Sequence, residues 1–124
     1  MLWRLAFSPL QNAVKGRSSA PWMSVSSTNQ GTIYSRKIRQ RTIAVAQKHG
    51  IPFQRDIFRT WTDASTIHTA GRGVPTAGIY IPRRNSHSPA ELVKWSDVEK
   101  TADLVFHFLE ELSSAGIEEL TRKI

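Results

Sequence analysis

The residues most suited to chemistry lie in the stretch Gly78-Ile79-Tyr80-Ile81-Pro82-Arg83-Arg84-Asn85-Ser86-His87-Ser88-Pro89-Ala90-Glu91. It opens as a short apolar run of the kind a buried strand shows. Pro82 ends strand pairing, because proline has no N–H for the ladder. Beyond it His87 stands between two serines, with Pro89 closing the turn. A histidine just past a strand end, in a loop stiffened by prolines, presents a ring nitrogen in a fixed direction. Neutral imidazole is the commonest protein ligand for transition metals. Metal ligation is therefore the chemistry that His87 suggests.

The other candidates read more plainly. There is no cysteine, which removes thiolate metal sites and disulfides and leaves histidine and carboxylate as ligands. His49 falls at a helix end, where a positive charge suits the dipole. His68 and His107 read as packing, capping or half-solvated helix residues. No H-E-x-x-H, G-x-S-x-G or glycine-rich phosphate loop occurs. Ser86 and Ser88 flank His87 but have no acid at triad spacing, which speaks against a serine hydrolase.

Elements must position this loop. Thr32 to His49 is predicted as a helix, with Tyr34, Ile38 and Val45 on one face, Ala44 and Ala46 beside them, and a stop at Gly50 and Pro52. Ile51 to Phe58 keeps a period of two and predicts a strand. Thr62 or Asp63 is placed to cap a short helix through His68. Val74 to Ile81 predicts the second strand. Ser96 and Glu99 have capping-box spacing. The helix they open carries Val98, Ala102, Val105, Leu109 and Leu112 on one stripe, widened by Leu104 and Phe108, up to Gly116. Helices packed on a small sheet make an α/β layer. Two strands are a marginal sheet, so this layer calls for strands that the pattern does not show.

Charge divides the chain. Residues 1–55 hold nine Lys or Arg and no acid, whereas residues 56–124 hold eight bases and ten acids. Residues 1–31 are basic and serine-rich and read as a disordered extension, with residues 32–124 as the folded part. An acid-free, serine-rich head also has the composition of a mitochondrial transit peptide. The run Arg36, Lys37, Arg39, Arg41 could meet nucleic acid, although a solvated helix face is the simpler reading. No apolar run approaches the roughly 20 residues that cross a bilayer, so no membrane partner is expected.

Five blocks share one order: Gly50-Ile51-Pro52-Phe53-Gln54; Thr62-Asp63-Ala64 followed by Ile67-His68; Gly73-Val74-Pro75-Thr76; Ile81 to Glu91; and Asp97-Val98-Glu99. Between about Ile38 and Leu112 this resembles the C-terminal part of the TET-type, glutamyl-aminopeptidase-like cocatalytic metallo-aminopeptidases, some of which are described as endoglucanases. Residues before Thr32 show no such likeness. The resemblance implies a partial zinc-aminopeptidase-like layer. It also implies two divalent ions, zinc or cobalt, that hydrolyse the first peptide bond of peptide substrates through a metal-bound hydroxide, in a cytoplasmic homo-oligomer. His87 matches a metal ligand of the family. Thr62 and Asp63 match a block near the site that is assigned to ordering the pocket, and Glu91 matches the acid that follows the histidine, a candidate to orient a ligand without binding the metal. Asn85 stands where the family has tyrosine, and Thr60-Trp61 replaces a glycine pair. The family's other ligands come from earlier blocks, none of which is present in the acid-free residues 1–55. The resemblance therefore implies an incomplete metal site and a chain that is inactive alone. A small basic scaffold or nucleic-acid-binding protein derived from that fold is the alternative.

Overall fold

A computed structural model describes residues 23–57, 61–115 and 120. Its main sheet has three strands: β1 (Ser24–Ser26), β4 (Gln54–Asp56) and β5 (Gly78–Tyr80), with β1 in the middle. β1 runs parallel to β4, pairing Val25 with Arg55, and antiparallel to β5, pairing Val25 with Ile79. β2 (Thr28–Asn29) and β3 (Thr32–Ile33) form a small hairpin that leads into α1 (Arg36–Lys48). The rest of the order is α2 (Ala64–Ile67), the hairpin of β6 (Arg83–Arg84) with β7 (Leu92–Val93), and α3 (Trp95–Ala115).

The missing strand is therefore β1, in a segment that the sequence reading assigned to the extension. Met23, Ser24, Val25 and Ser26 do alternate as a strand should, and all four are buried. The basic, serine-rich setting hid the pattern. Residues 1–22, the rest of that segment, lie outside the described residues. Between the strands, proline trims what periodicity predicted: Pro52 delays β4 to Gln54, and Pro75 and Pro82 confine β5 to Gly78–Tyr80.

Helix α1 starts later than expected because Thr32 and Ile33 belong to the hairpin. Ser35 caps it by accepting from the Ile38 N–H. At the other end the Ile51 N–H reaches the Ala46 carbonyl (2.8 Å) and the Gly50 N–H the Gln47 carbonyl (3.3 Å). This is a Schellman stop. Gly50 sits at φ +63°, where a side chain would be strained, and Ile51 folds back against the core. Thr42, an interruption in the apolar stripe, is buried without penalty because its hydroxyl donates to the Ile38 carbonyl at 2.9 Å.

The core joins Met23 and Val25 of the sheet segment to Ile43, Val45, Ala46 and Ile51, and to Leu104 of α3. Phe53, Ile79 and Phe108 pack around it. Helix α3 is present as predicted, but its inward row is Asp97, Leu104 and Phe108. Leu104 is 0% exposed, whereas Val105 and Leu109 of the predicted stripe are 40% and 56% exposed. One position along a helix is a rotation of about 100°, and this helix carries two apolar rows, either of which periodicity alone allows to face the core. The capping box also differs. Trp95 opens the helix, which puts Ser96 inside it, and the Glu99 carboxylate accepts from the Trp95 indole N–H (3.0 Å). Asp97 is buried with one oxygen unpartnered, and burial raises its pKa against the pull of Lys94.

Candidate functional site

His87 sits at the tip of the β6–β7 hairpin. Asn85 (φ +54°) and His87 (φ +62°) both adopt left-handed backbone, which is uncommon outside glycine. Local bonds hold this shape. The Ser88 N–H reaches the Asn85 carbonyl (3.2 Å), the Asn85 amide donates to the Ala90 carbonyl (3.2 Å), and the Ala90 N–H donates to the Ser88 hydroxyl (3.3 Å). Glu91 closes the loop. One carboxylate oxygen accepts the His87 backbone N–H, and the other accepts from Arg83 at 2.7 Å. The His87 N–H first, and Arg83 after it, hold the Glu91 pKa below the ordinary glutamate value. Glu91 thus contacts His87 through its backbone, and the imidazole itself is exposed.

Thr62 and Asp63 belong to a different construction, the turn before α2. The turn is closed by backbone bonds, with the Ser65 N–H on the Thr62 carbonyl (2.9 Å) and the Thr66 N–H on the Asp63 carbonyl (3.0 Å). The expected side-chain cap is not formed: Asp63 occupies the N-cap position with an exposed carboxylate and no capping bond. The Thr62 hydroxyl instead accepts from the Asn29 amide (2.7 Å) and lies 3.3 Å from the Tyr34 hydroxyl. Tyr34 bonds in turn to the Tyr80 hydroxyl at 2.6 Å. Burial, and then the neighbouring Tyr34 hydroxyl, push the Tyr80 pKa up, so the network stays protonated and neutral. It ties the turn to β2, the approach to α1, and β5. Sequence reasoning missed Asn29, Tyr34 and Tyr80 as parts of this unit. Their separations from Thr62 in the chain leave no local pattern to read.

The remaining histidines make structural contacts. His68 Nδ1 donates to the Ala64 carbonyl (3.0 Å). His49, at the C-cap of α1, stacks on His107 of α3 with ring centroids 3.7 Å apart and contacts Glu111 at 3.2 Å. Lys48 (2.8 Å) and Arg41 (3.4 Å) meet the same carboxylate, so part of the basic run on α1 serves the α1–α3 seam.

Among the described residues, no group of three or more His, Asp or Glu is placed to hold a metal ion. Both Glu91 oxygens are engaged, and Asp63 and His87 stand in separate loops. The described residues do not fit a two-ion centre.

Comparison with known proteins gives this arrangement its context. The family described as M42 glutamyl aminopeptidase matches residues 15–104. The match begins upstream of the likeness read from the motifs and includes β1. A lysyl aminopeptidase of Pyrococcus furiosus is 41% identical over 78 residues, which cover 61% of this chain and 22% of that protein. The solved TET aminopeptidase of a marine-sediment thaumarchaeote superposes with a TM-score of 0.73 at 25% identity, covering 82% of this chain and 28% of that one. The fold is also that of the Pyrococcus horikoshii TET1 peptidase, which can assemble into a tetrahedron or a large octahedral shell (TM-score 0.65, 23% identity, 77% and 28% covered). This chain therefore spans about a quarter of the length of the relatives it matches.

Proposed function

The chain belongs to the M42 glutamyl aminopeptidase family, and from that premise we propose that it supplies one metal-ligating imidazole, His87, to a metal-dependent aminopeptidase site completed by other polypeptide. The observation that carries this reading is the loop itself. Left-handed backbone at a non-glycine residue is costly and persists where surroundings impose it. Here Glu91 imposes it by taking the His87 N–H, with Arg83 fixing the carboxylate. The product is an exposed imidazole carried on a held backbone, a position from which it can meet a metal.

The other assignments follow in rank. Thr62, locked to Asn29 and Tyr34, holds the turn that presents Asp63, and the pair shapes the pocket without ligating. Divalent ions, zinc or cobalt, supply a hydroxide nucleophile and oxyanion stabilisation when bound in a complete site. By itself the chain has one such ligand and is inactive. Peptides are the substrates: the carbonyl of the N-terminal residue is attacked, that residue is released as the free amino acid, and the amine of the shortened peptide is the leaving group. Assembly into a homo-oligomer and a cytoplasmic location belong to the same proposal.

The test is hydrolysis of a panel of aminoacyl-nitroanilides by the purified chain with added Zn²⁺ or Co²⁺, beside His87→Ala. No turnover by either protein is expected. Metal-dependent turnover that disappears in His87→Ala would overturn the incomplete-site reading, because this chain would then build a working centre. Turnover equal in the two proteins would remove His87 from the site.

A further inference from the structure

Helix α3 carries apolar side chains on two rows, and the core uses one of them. The other row is Trp95, Ala102, Val105, Phe106 and Leu109. Its spacing is that of one continuous helix face. It stands open to solvent: Trp95 is 69% exposed, Phe106 63% and Leu109 56%. A helix that is apolar on both sides is built to be covered on both sides. A contiguous apolar strip of this kind marks an interface.

We infer that this outer row of α3 docks the portion of an M42 domain that the present chain does not carry. The lengths argue for that occupant. Most of this chain superposes on its solved relatives, yet it accounts for 28% of the thaumarchaeal chain and 22% of the Pyrococcus lysyl aminopeptidase. Each relative therefore brings several times as much polypeptide alongside the same small layer. The sheet agrees, because among the described residues β4 and β5 each pair on one side only, with β1. Charge argues against a second copy of this chain as the occupant. Exposed Glu99, Asp103 and Glu110 run along one rim of the row. Two copies of α3 packed antiparallel about a two-fold axis would bring these acidic rims together, and like charges across an interface disfavour it. A partner with a neutral or basic rim meets no such cost.

The inference rests on the reading above that other polypeptide completes the domain, but it does not need His87 to bind metal. It is tested by co-expressing the tagged full chain with the Pyrococcus lysyl aminopeptidase from which the matched 78-residue stretch has been deleted. A stoichiometric complex is expected. Phe106→Glu combined with Leu109→Glu should lower its recovery at least tenfold, whereas Ile33→Glu, an exposed change on β3, should leave it intact. His87→Ala should also leave it intact, so failure of the metal assignment and failure of the docking surface are told apart. A soluble, folded deletion variant that does not bind, or a complex indifferent to the α3 substitutions, overturns the inference.

Sedimentation of the full chain alone gives a second reading that needs no partner. A monomer is expected, because the acidic rims of Glu99, Asp103 and Glu110 keep copies apart. A discrete dimer dispersed by the same double substitution would make the occupant a second copy and overturn the inference.

Discussion

Two turns carry the residues that link this chain to its family, and they are held by opposite means. The Thr62–Asp63 turn is fixed from inside, by a neutral chain of hydroxyls and an amide running from Asn29 through Thr62 and Tyr34 to Tyr80. The His87 loop is fixed from outside, by the charged Glu91 carboxylate gripping a backbone N–H and an arginine in open solvent. A half-buried neutral network is the stronger, because Asn29 and Tyr34 are buried and have little water to turn to. An exposed ionic clasp is weak, screened by salt and tied to pH. The first belongs to the stability of the fold. The second belongs to the aim of one side chain.

Substitutions should separate the two, and the largest effect is expected at Gly78. A Cβ there would come within 2.5 Å of the Tyr34 ring, in the middle of the buried network. Tyr34 is itself buried and bonded to Tyr80, so it has little room to retreat. Gly78→Ala should cost about 2–3 kcal/mol, the scale of overpacking in a tight interior, read as a lower midpoint in urea with an unchanged slope. A loss below a few tenths of a kcal/mol would show that the network yields, and the contrast with the His87 loop would weaken.

Thr62→Val comes next. It keeps the volume and removes the hydroxyl that Asn29 donates to and Tyr34 lies against. Leaving these partners short in a partly buried site should cost about 1 kcal/mol. Paired with Tyr34→Phe in a double-mutant cycle, the two changes should fall short of additivity, since both break the same contact. Additive losses would mean that Thr62 and Tyr34 act separately.

What could be read from sequence follows the same division. The His87 loop was legible because it is local: strand end, Pro82, histidine, Pro89 and the acid at Glu91 lie within one short segment. Even there, the route from Glu91 to His87 through the backbone N–H depends on left-handed geometry at Asn85 and His87 that residue types do not specify. The hydroxyl network joins residues 28 and more positions apart, and no periodicity encodes such pairings. In the fold, α1 and α3 could be read because each repeats its pattern over several turns, and Gly50 with Pro52 marks a recognisable stop. Strand β1 was hidden because three residues among serines and bases give too short an alternation to outweigh composition. The face of α3 was misread for a physical reason as well. With Leu104–Phe108 and Val105–Leu109 side by side, only the packing partner decides which row turns inward.

The smallest effect belongs to the clasp, and its signature is pH. Glu91 has a depressed pKa in the folded chain because the His87 N–H and Arg83 favour its charged form. A carboxylate of this kind contributes fully above the value it has in the unfolded chain. The contribution is lost as pH falls through the depressed folded value. Glu91 lies at the surface, so the global midpoint should hardly respond. The local readout should. In the native protein the His87 amide should be protected from hydrogen exchange near neutral pH, and its NMR shift should titrate with the Glu91 carboxyl below the ordinary glutamate range. Glu91→Gln should remove that titration, because the amide side chain has no proton to gain there. It should also raise exchange at His87 at neutral pH while leaving the Thr62 turn unchanged. A protected, non-titrating His87 amide in the variant would mean that the backbone bonds from Asn85 to Ala90 set the loop unaided. Glu91 would then have no part in aiming the imidazole, and the contrast between an ionic clasp and a neutral network would fail at its weaker end.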